Sequence, residues 1–232
     1  MRGNRPVIVL RPEPGNRATV ARLAETGVDA IAMPLFAVHP LDWTVPDPAD
    51  FDALILTSAN AVRWAGDGLA ALKALPTYTV GEATARAARS ADIDVMTTGS
   101  DDATALLTMA RGAGVARALH LCGRESTITP GTPAANIVRQ SVAVYASDAV
   151  PVPPRALATM IDGIALLHSP RAARHLAALI DMAGFDRQRI TLAALSPAVA
   201  AAAGDGWQAI WTAPVPTDPA LINLVGDQVR AR

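Results

Sequence analysis

An apolar run that passes directly into hydroxyl residues begins at position 53 and reads Ala53-Leu-Ile-Leu-Thr-Ser-Ala-Asn-Ala-Val-Arg63. The apolar residues predict a short strand over Ala53–Leu56, followed by a helix that starts near residue 60. Ser58 or Asn60 can cap this helix, because their side chains accept hydrogen bonds from the free N–H groups of a first helical turn. The stretch therefore predicts one βα unit with a polar turn between strand and helix.

A second stretch repeats this pattern later in the chain. Residues 168–174 read His-Ser-Pro-Arg-Ala-Ala-Arg and share Ser, Ala and Arg with residues 57–63 at the same spacing. The repeat favours a duplicated lobe, although alanine-rich helices also resemble one another without common origin.

The alternation of short apolar runs with Ala/Leu/Arg-rich stretches continues along the chain and predicts an α/β fold with parallel sheets. We predict strands over Val7–Leu10, Ala30–Met33, Ala53–Leu56, Tyr78–Val80, Ile93–Met96, Ala118–Leu121, Val142–Tyr145, Ile164–Leu167, Ile190–Ala194 and Ala209–Thr212, with Leu35–Leu41 extended. We predict helices over residues 16–25, 60–74, 82–90, 102–112, 131–140, 154–161, 171–182, 197–203 and 217–230.

Proline-rich turns near residues 46 and 153 divide the chain into three parts. The first and third parts have too few strands for a sheet each, but together they have the five of an ordinary doubly wound sheet. We therefore predict two flavodoxin-like, doubly wound α/β lobes. Residues 1–35 and 150–232 form a discontinuous first lobe, residues 45–141 form the inserted second lobe, and residues 36–44 and 142–149 are the linker strands.

Composition excludes several classes of protein. The chain has 232 residues, of which 51% are hydrophobic, so disorder is excluded. Its net charge of -1 gives no reason to expect nucleic acid or a membrane as partner. Cys122 is the single cysteine, which excludes an intrachain disulfide and a multi-cysteine zinc site. With no signal-peptide pattern and no long apolar run, we expect a soluble, cytoplasmic protein, and a monomer because nothing indicates a self-complementary interface.

Polar side chains recur where predicted strands end and helices begin. These positions are Thr57, Ser58, Asn60, Thr84, Ser169 and Ser196. Ligands of open α/β sheets bind at the carboxyl ends of the strands, so such donors suit a ligand with many carboxylates, with arginines such as Arg11, Arg124 and Arg171 at the rim. The alternative is that the hydroxyls are only helix caps and the arginines only solvated surface charges.

The familiar catalytic patterns are missing. The chain has no Gly-x-Ser-x-Gly turn and no His-Glu-x-x-His, and we expect His168 and His175 to be a capping and a surface histidine. Tyr145 ends the last predicted strand of the middle part, where the chain returns to the first lobe, and can face the space between the lobes. Its alternative role is packing at a hinge.

The order of these motifs resembles the uroporphyrinogen-III synthase family. The residues that carry the resemblance are Arg11-Pro12 after the first strand, Leu56-Thr57-Ser58-Ala-Asn60-Ala-Val62, Val80-Gly81-Glu82-Ala-Thr84-Ala85, Val144-Tyr145 and His168-Ser169-Pro170. The resemblance implies a cofactor-free cytoplasmic hydro-lyase of tetrapyrrole biosynthesis, which converts hydroxymethylbilane to uroporphyrinogen III with loss of water and inversion of ring D. It also implies two α/β lobes that hold the substrate between them.

The resemblance also implies roles for individual residues. Tyr145 matches by position the tyrosine that is functionally most important in the family, and it is the candidate catalytic residue. The candidate substrate-binding residues are Arg11, Thr57, Ser58, Asn60, Gly81, Thr84, Ser169 and Ser196. The family often has Gly-Pro-Thr-Thr-Ala late in the chain, whereas residues 196–200 here read Ser-Pro-Ala-Val-Ala, so two hydroxyls are absent. The alternative function is a non-catalytic, two-lobed sensor of tetrapyrroles or other polyanions.

Overall fold

The structure is a computed structural model that describes residues 5–99, 103–125, 128 and 135–230. It is an α/β protein with two mostly parallel sheets, as the sequence predicted. The chain divides into two compact units, one of Met1–Ala37 with Asp148–Arg232 and the other of Val38–Ser147. The assignment of residues 36–44 and 142–149 as linkers between lobes stays a prediction.

The described elements follow one another as short strands and helices. The strands are β1 (Val7–Val9), β2 (Ala30–Ala32), β3 (Phe36–Pro40), β4 (Ala53–Leu56), β5 (Thr77–Val80), β6 (Val95–Gly99), β7 (Ala118–Gly123), β8 (Val138–Ala149), β9 (Ile164–Leu167), β10 (Thr191–Ala194) and β11 (Ala209–Thr212). The α-helices are α1 (Gly15–Glu25), α2 (Ala59–Trp64), α3 (Glu82–Ser90), α4 (Ala103–Gly112), α5 (Pro154–Leu157), α6 (Pro170–Met182), α7 (Pro197–Ala203) and α8 (Asp218–Arg230). Short 3-10 helices cover Pro48–Asp50, Gly66–Leu72, Ala135–Ile137, Ala158–Met160 and Arg187–Arg189.

The sheet of the first unit has five parallel strands in the order β11-β10-β9-β1-β2. Counted in chain order within the unit, this is the 2-1-3-4-5 order of flavodoxin-like folds. The order reverses between β1 and β9, where Val9 pairs with Leu166. The carboxyl ends of these two strands are therefore the expected place for a ligand in this unit.

The second sheet has six strands in the order β3-β8-β7-β4-β5-β6. Strands β4 to β8 are parallel, whereas β3 runs antiparallel to β8, since the Leu41 N–H donates to the Val144 carbonyl and the Val150 N–H to the Leu35 carbonyl. The parallel strands have the order 3-2-1-4-5, a second doubly wound arrangement, and its reversal lies between β4 and β7.

Both sheets are covered on both faces, which explains why their strands are short apolar runs without polar alternation. In β1, Ile8 packs among residues of α6 and α7, while Val7 and Val9 pack among residues of α1 and α8. In β4, Leu54 and Leu56 likewise belong to a different cluster from Ala53 and Ile55. Within the described residues, no helix is both long and apolar enough to span a membrane.

The predicted helix over residues 131–140 is wrong. Residues 131–134 lie outside the described part of the chain, Ala135–Ile137 form a 3-10 turn, and Val138 already begins β8. The strand is stabilised by parallel pairing with β7, in which Ala118 pairs with Val138, and tertiary pairing of this kind overrides a weak helical pattern. Because β8 continues to Ala149, Tyr145 lies inside this strand rather than at its end.

Three smaller differences have local causes. The helix predicted over 60–74 divides into α2 and the 3-10 helix at Gly66, whose φ of 61° interrupts helical geometry. The helix predicted over 154–161 likewise divides into α5 and the 3-10 helix Ala158–Met160. The strand predicted over 93–96 is shifted to β6, because the Ile93 N–H closes the end of α3 by donating to the Ala88 carbonyl. The bounds of β4, β9, β11, α3 and α7 agree with the prediction residue for residue.

Candidate functional site

In the second unit, several predicted site residues lie at the carboxyl end of the sheet. Leu56 at the end of β4 pairs with Leu121 of β7, and Gly123 at the end of β7 pairs with Tyr145 of β8. Ser58 is two residues beyond Leu56, just as Gly123 is two beyond Leu121. Ser58, in the turn after β4, therefore lies at about the same level as Gly123 of β7 and Tyr145 of β8, next to the reversal of strand order.

Tyr145 is half-buried and its ring lies directly over Gly123. A Cβ atom on residue 123 would lie 2.7 Å from Cζ and 2.9 Å from the hydroxyl oxygen of Tyr145. The backbone of Tyr145 is also held, since its carbonyl accepts a hydrogen bond of 2.8 Å from the Arg124 N–H. Glycine at position 123 thus allows the phenol ring to lie close to the strand.

Thr57 takes part in a hydrogen-bonded chain of three side chains. Its Oγ1 lies 3.0 Å from Nε2 of His120, and Nδ1 of His120 lies 3.2 Å from Oγ of Ser141. His120 is fully buried inside β7, and this burial lowers its pKa to about 4, so the imidazole is neutral at neutral pH. One ring nitrogen of a neutral imidazole donates and the other accepts, so His120 links both hydroxyls without a charge.

Ser58 and Asn60 serve the start of α2. The Asn60 N–H donates to Oγ of Ser58 over 3.2 Å, and the Asn60 side chain accepts a hydrogen bond from Arg63 over 3.1 Å. The capping role considered from the sequence is therefore confirmed for Ser58.

Gly81 and Thr84 lie at the start of α3. Gly81 has a φ of 76°, a conformation that glycine adopts without strain, and its N–H donates to the Gly99 carbonyl. Thr84 is only 4% exposed, so most of its side chain is packed inside the unit.

In the first unit, Ser169 and Ser196 cap the helices that follow β9 and β10. The N–H groups of Ala172 and Val199 donate to their hydroxyl oxygens over 3.2 and 3.4 Å, respectively. Both serines follow strands of the same sheet and lie on its carboxyl side, and each half-buried hydroxyl keeps one O–H to donate.

Arg11 follows β1, and its guanidinium reaches Asp218 in the first turn of α8 over 3.2 Å.

The expectation that His168 and His175 are a capping and a surface histidine is wrong for both residues. His168 is almost buried and its Nε2 lies 2.8 Å from Asp218, while Ser169 rather than His168 caps the helix. The ring of His175 packs against Phe36, with the ring centroids 5.2 Å apart.

The two other arginines considered for the rim have different surroundings. Arg171 is half-buried, with its guanidinium 4.3 Å above the ring of Phe36, whereas Arg124 is exposed. His120, Gly123 and Asp218 were not predicted from the sequence. The available signals were a histidine within an apolar strand, a glycine at a strand end and an acidic residue in a first helical turn. Residues at such positions commonly have a purely structural role, so none of these signals indicated a functional site.

Each unit therefore carries its own set of predicted site residues at the carboxyl side of its sheet. Thr57, Ser58, Gly81 and Tyr145 belong to the second unit, and Arg11, Ser169 and Ser196 to the first. Among the described residues, no three His, Cys, Asp or Glu side chains are close enough together to hold a metal ion.

A family model described as uroporphyrinogen-III synthase HemD matches residues 17–223. The chain belongs to the uroporphyrinogen-III synthase family. It is thus an enzyme of tetrapyrrole synthesis that converts hydroxymethylbilane to uroporphyrinogen III, and the prediction from the sequence motifs is confirmed. No curated protein sequence matches this chain significantly.

Solved structures of the uroporphyrinogen-III synthase family share this fold. The Helicobacter pylori uroporphyrinogen-III synthetase matches with a TM-score of 0.66 and 16% identity, covering 98% of this chain and 100% of that chain. A mutant uroporphyrinogen III synthase from Thermus thermophilus matches with a TM-score of 0.60 and 14% identity, with coverage of 98% and 100%. At such identities, the likeness shows the fold alone.

Proposed function

We propose that this chain acts as a cytoplasmic, monomeric hydro-lyase that needs no cofactor and whose proton donor is Tyr145. Hydroxymethylbilane must lose its terminal hydroxyl group, and one proton converts the departing group to water. This leaves an azafulvenium cation, which becomes the electrophilic azafulvene when the pyrrole N–H loses its proton, so that the phenol of Tyr145 can be restored with no net change in protons. Attack by the substituted carbon of ring D, through a spiro intermediate, then inverts that ring before the macrocycle closes.

The role of Tyr145 is supported by the way its ring is held. The ring lies on the Gly123 backbone, and the hydrogen bond at its own carbonyl holds the Tyr145 backbone beside the carboxyl end of β7. A phenol can donate its O–H to the departing hydroxyl, and a positioned donor contributes about 10²- to 10⁴-fold to a rate.

The substrate has eight carboxylates, and hydroxyls at the strand ends are suited to bind them. Thr57, Ser58, Ser169 and Ser196 are half-buried residues at these strand ends. Each serine hydroxyl can donate one hydrogen bond to a carboxylate, and Thr57 can do the same in the tautomer in which Nε2 of His120 donates to its Oγ1, while Arg11 supplies a positive charge.

Holding the substrate governs which isomer forms. Unassisted closure joins the ends of the bilane directly and gives the type I isomer, so the enzyme must favour attack through the substituted carbon. Orientation of the reacting carbons is worth several kcal/mol of barrier, and exclusion of water protects the azafulvene from recapture.

The test mixes the protein with freshly prepared hydroxymethylbilane and separates the porphyrin isomers after oxidation. We expect type III product in proportion to the protein. Type I alone would contradict the enzymatic function and favour the polyanion-binding alternative.

The role of Tyr145 is tested with Tyr145→Phe, for which we expect at least a tenfold loss of kcat with the isomer ratio measured in parallel. Tyr78→Phe is the matched control, because Tyr78 is a buried residue of the core between β4, β5 and α4. Full turnover by Tyr145→Phe would remove the assignment of Tyr145 as proton donor.

A further inference from the structure

The carboxylate of Asp218 joins side chains from three other parts of the first unit. Oδ1 accepts hydrogen bonds from His168 over 2.8 Å, Thr19 over 2.9 Å and Arg11 over 3.2 Å. Oδ2 accepts one of 2.6 Å from Arg22. These donors come from the ends of β1 and β9 and from α1, so a single residue of α8 connects the elements around the reversal of strand order.

The electrostatic balance of this group favours an ionised carboxylate. Burial of Asp218 would raise its pKa, but hydrogen bonds from His168 and Thr19 and the charge of Arg11 hold the pKa well below its usual range. Burial in turn lowers the pKa of His168, so His168 is a neutral donor here. Because Arg11 and Arg22 are positive, Asp218 is negative and His168 is neutral, the group has one net positive charge, which attracts an anionic ligand.

Arg11 is held by hydrogen bonds and by packing, and part of its side chain is exposed. Its Nη1 donates to Asp218 and, over 3.3 Å, to Thr19. Its guanidinium lies over Gly15, where a Cβ atom would be 2.7 Å from Cζ and 2.8 Å from Nη2 of Arg11, so the Gly15 backbone covers one face of the guanidinium. Within the part of the chain that the structure describes, Nε and Nη2 have no hydrogen-bond partner, and 31% of the side chain is exposed.

We propose that Asp218 is a positioning residue for substrate binding, holding the Arg11 guanidinium so that its unpaired N–H groups are presented to a substrate carboxylate. This inference rests on the proposed function, in which Arg11 binds the substrate. A guanidinium that is already oriented loses less conformational freedom when it binds a carboxylate. The hydrogen bonds between Arg11 and Asp218 therefore increase the affinity of the enzyme for its substrate. Asp218 itself does not touch the substrate, because four donors already surround its carboxylate.

The first experiment compares Asp218→Asn with Asp227→Asn, a matched change on the same helix whose carboxylate pairs with Arg230 over 2.8 Å at the surface. We expect KM for hydroxymethylbilane, measured by type III formation, to rise about tenfold in Asp218→Asn with kcat within twofold of the wild type. The control should match the wild type in both. An unchanged KM in Asp218→Asn overturns the inference, and type III formation by the wild type keeps that outcome distinct from a failure of the proposed function.

A double-mutant cycle with Arg11→Gln separates positioning from general loss of structure. If Asp218 acts through Arg11, the double variant with Arg11→Gln and Asp218→Asn has the same KM as Arg11→Gln alone. Independent, multiplying increases in KM would overturn the inference. An Arg11→Gln enzyme with unchanged KM would do the same, because Arg11 would then bind no substrate group.

Gly15→Ala provides a variant that keeps the carboxylate. The added methyl group displaces the Arg11 guanidinium, whereas alanine in the first turn of α1 is compatible with folding. We expect the KM of Gly15→Ala to rise, as it does in Asp218→Asn. Unfolding measurements on each variant identify any that fail to fold, and Gly15→Ala then decides the question: an unchanged KM in this variant overturns the inference.

Discussion

The Tyr145 ring packs on the α-carbon of Gly123, so closely that a side chain on residue 123 would overlap it. The two residues are register partners on the neighbouring strands β7 and β8. The position of the phenol therefore depends on the absence of a side chain on the adjacent strand.

Gly123→Ala should displace the Tyr145 ring and reduce kcat about 10- to 100-fold, because misplacing a reacting group by about 1 Å costs rates of that order. Gly112→Ala at the end of α4 is the control, since no atom lies within 4 Å of a Cβ built there. Steady-state formation of type III product measures both. Wild-type kcat in Gly123→Ala would show that the ring does not need this exact support.

Ser169 combines a cap with a proposed carboxylate donor, and two substitutions separate these roles. Both Ser169→Asn and Ser169→Asp retain a capping oxygen, so we expect each free energy of unfolding to stay within about 1 kcal/mol of the wild type. Only aspartate adds a negative charge, and repulsion of the substrate should raise KM about tenfold above that of the asparagine variant. Urea titration and steady-state kinetics measure the two quantities.

Asp186→Asn is the charge control for this pair, because Asp186 caps the 3-10 helix Arg187–Arg189 in the same unit. Its KM should equal that of the wild type. Equal KM values for the two Ser169 variants would mean that Ser169 is a cap and does not face the substrate.

His120 makes stability depend on pH in the mildly acidic range. Burial lowers its pKa to about 4 from the ordinary 6.5, so the unfolded chain binds a proton at His120 before the folded chain does. Stability is therefore fully present above pH 6.5 and is lost as the pH falls towards 4, by roughly 3 kcal/mol in all.

His120→Gln removes this titration, and the variant should show a correspondingly flatter decrease of the unfolding free energy between pH 6.5 and 4. Urea titrations at several pH values provide the measurement for both proteins. Parallel pH profiles would contradict a neutral, buried His120.

Asn16 holds the backbone that leads to Arg11. Its side chain is fully buried and donates to the carbonyls of Val9 and Arg11 over 2.7 and 2.9 Å. Asn16→Ala leaves both acceptors without this donor and should lower the free energy of unfolding by about 2 kcal/mol. Asn223→Ala, an exposed position on α8, should change it by less than about 0.5 kcal/mol.

Much of the candidate site was predictable, because its residues lie beside strands with strong local signals. Thr57 and Ser58 follow an apolar run that is buried on both faces, and Ser169 follows another. The partners of these residues were not predictable. His120 is 63 residues from Thr57, and Asp218 is 207 residues from Arg11, so their hydrogen bonds leave no periodic pattern in the sequence.

By itself, the sequence determined the α/β class, most element bounds to within one residue and the family, because apolar runs, capping residues and ordered motifs are local properties of the chain. Tertiary structure alone decided that residues 138–140 join a strand, that Gly123 supports Tyr145 and that Asp218 holds Arg11. These outcomes depend on contacts between distant segments. Their energies arise only once the strands have paired and the helices have packed against the sheets.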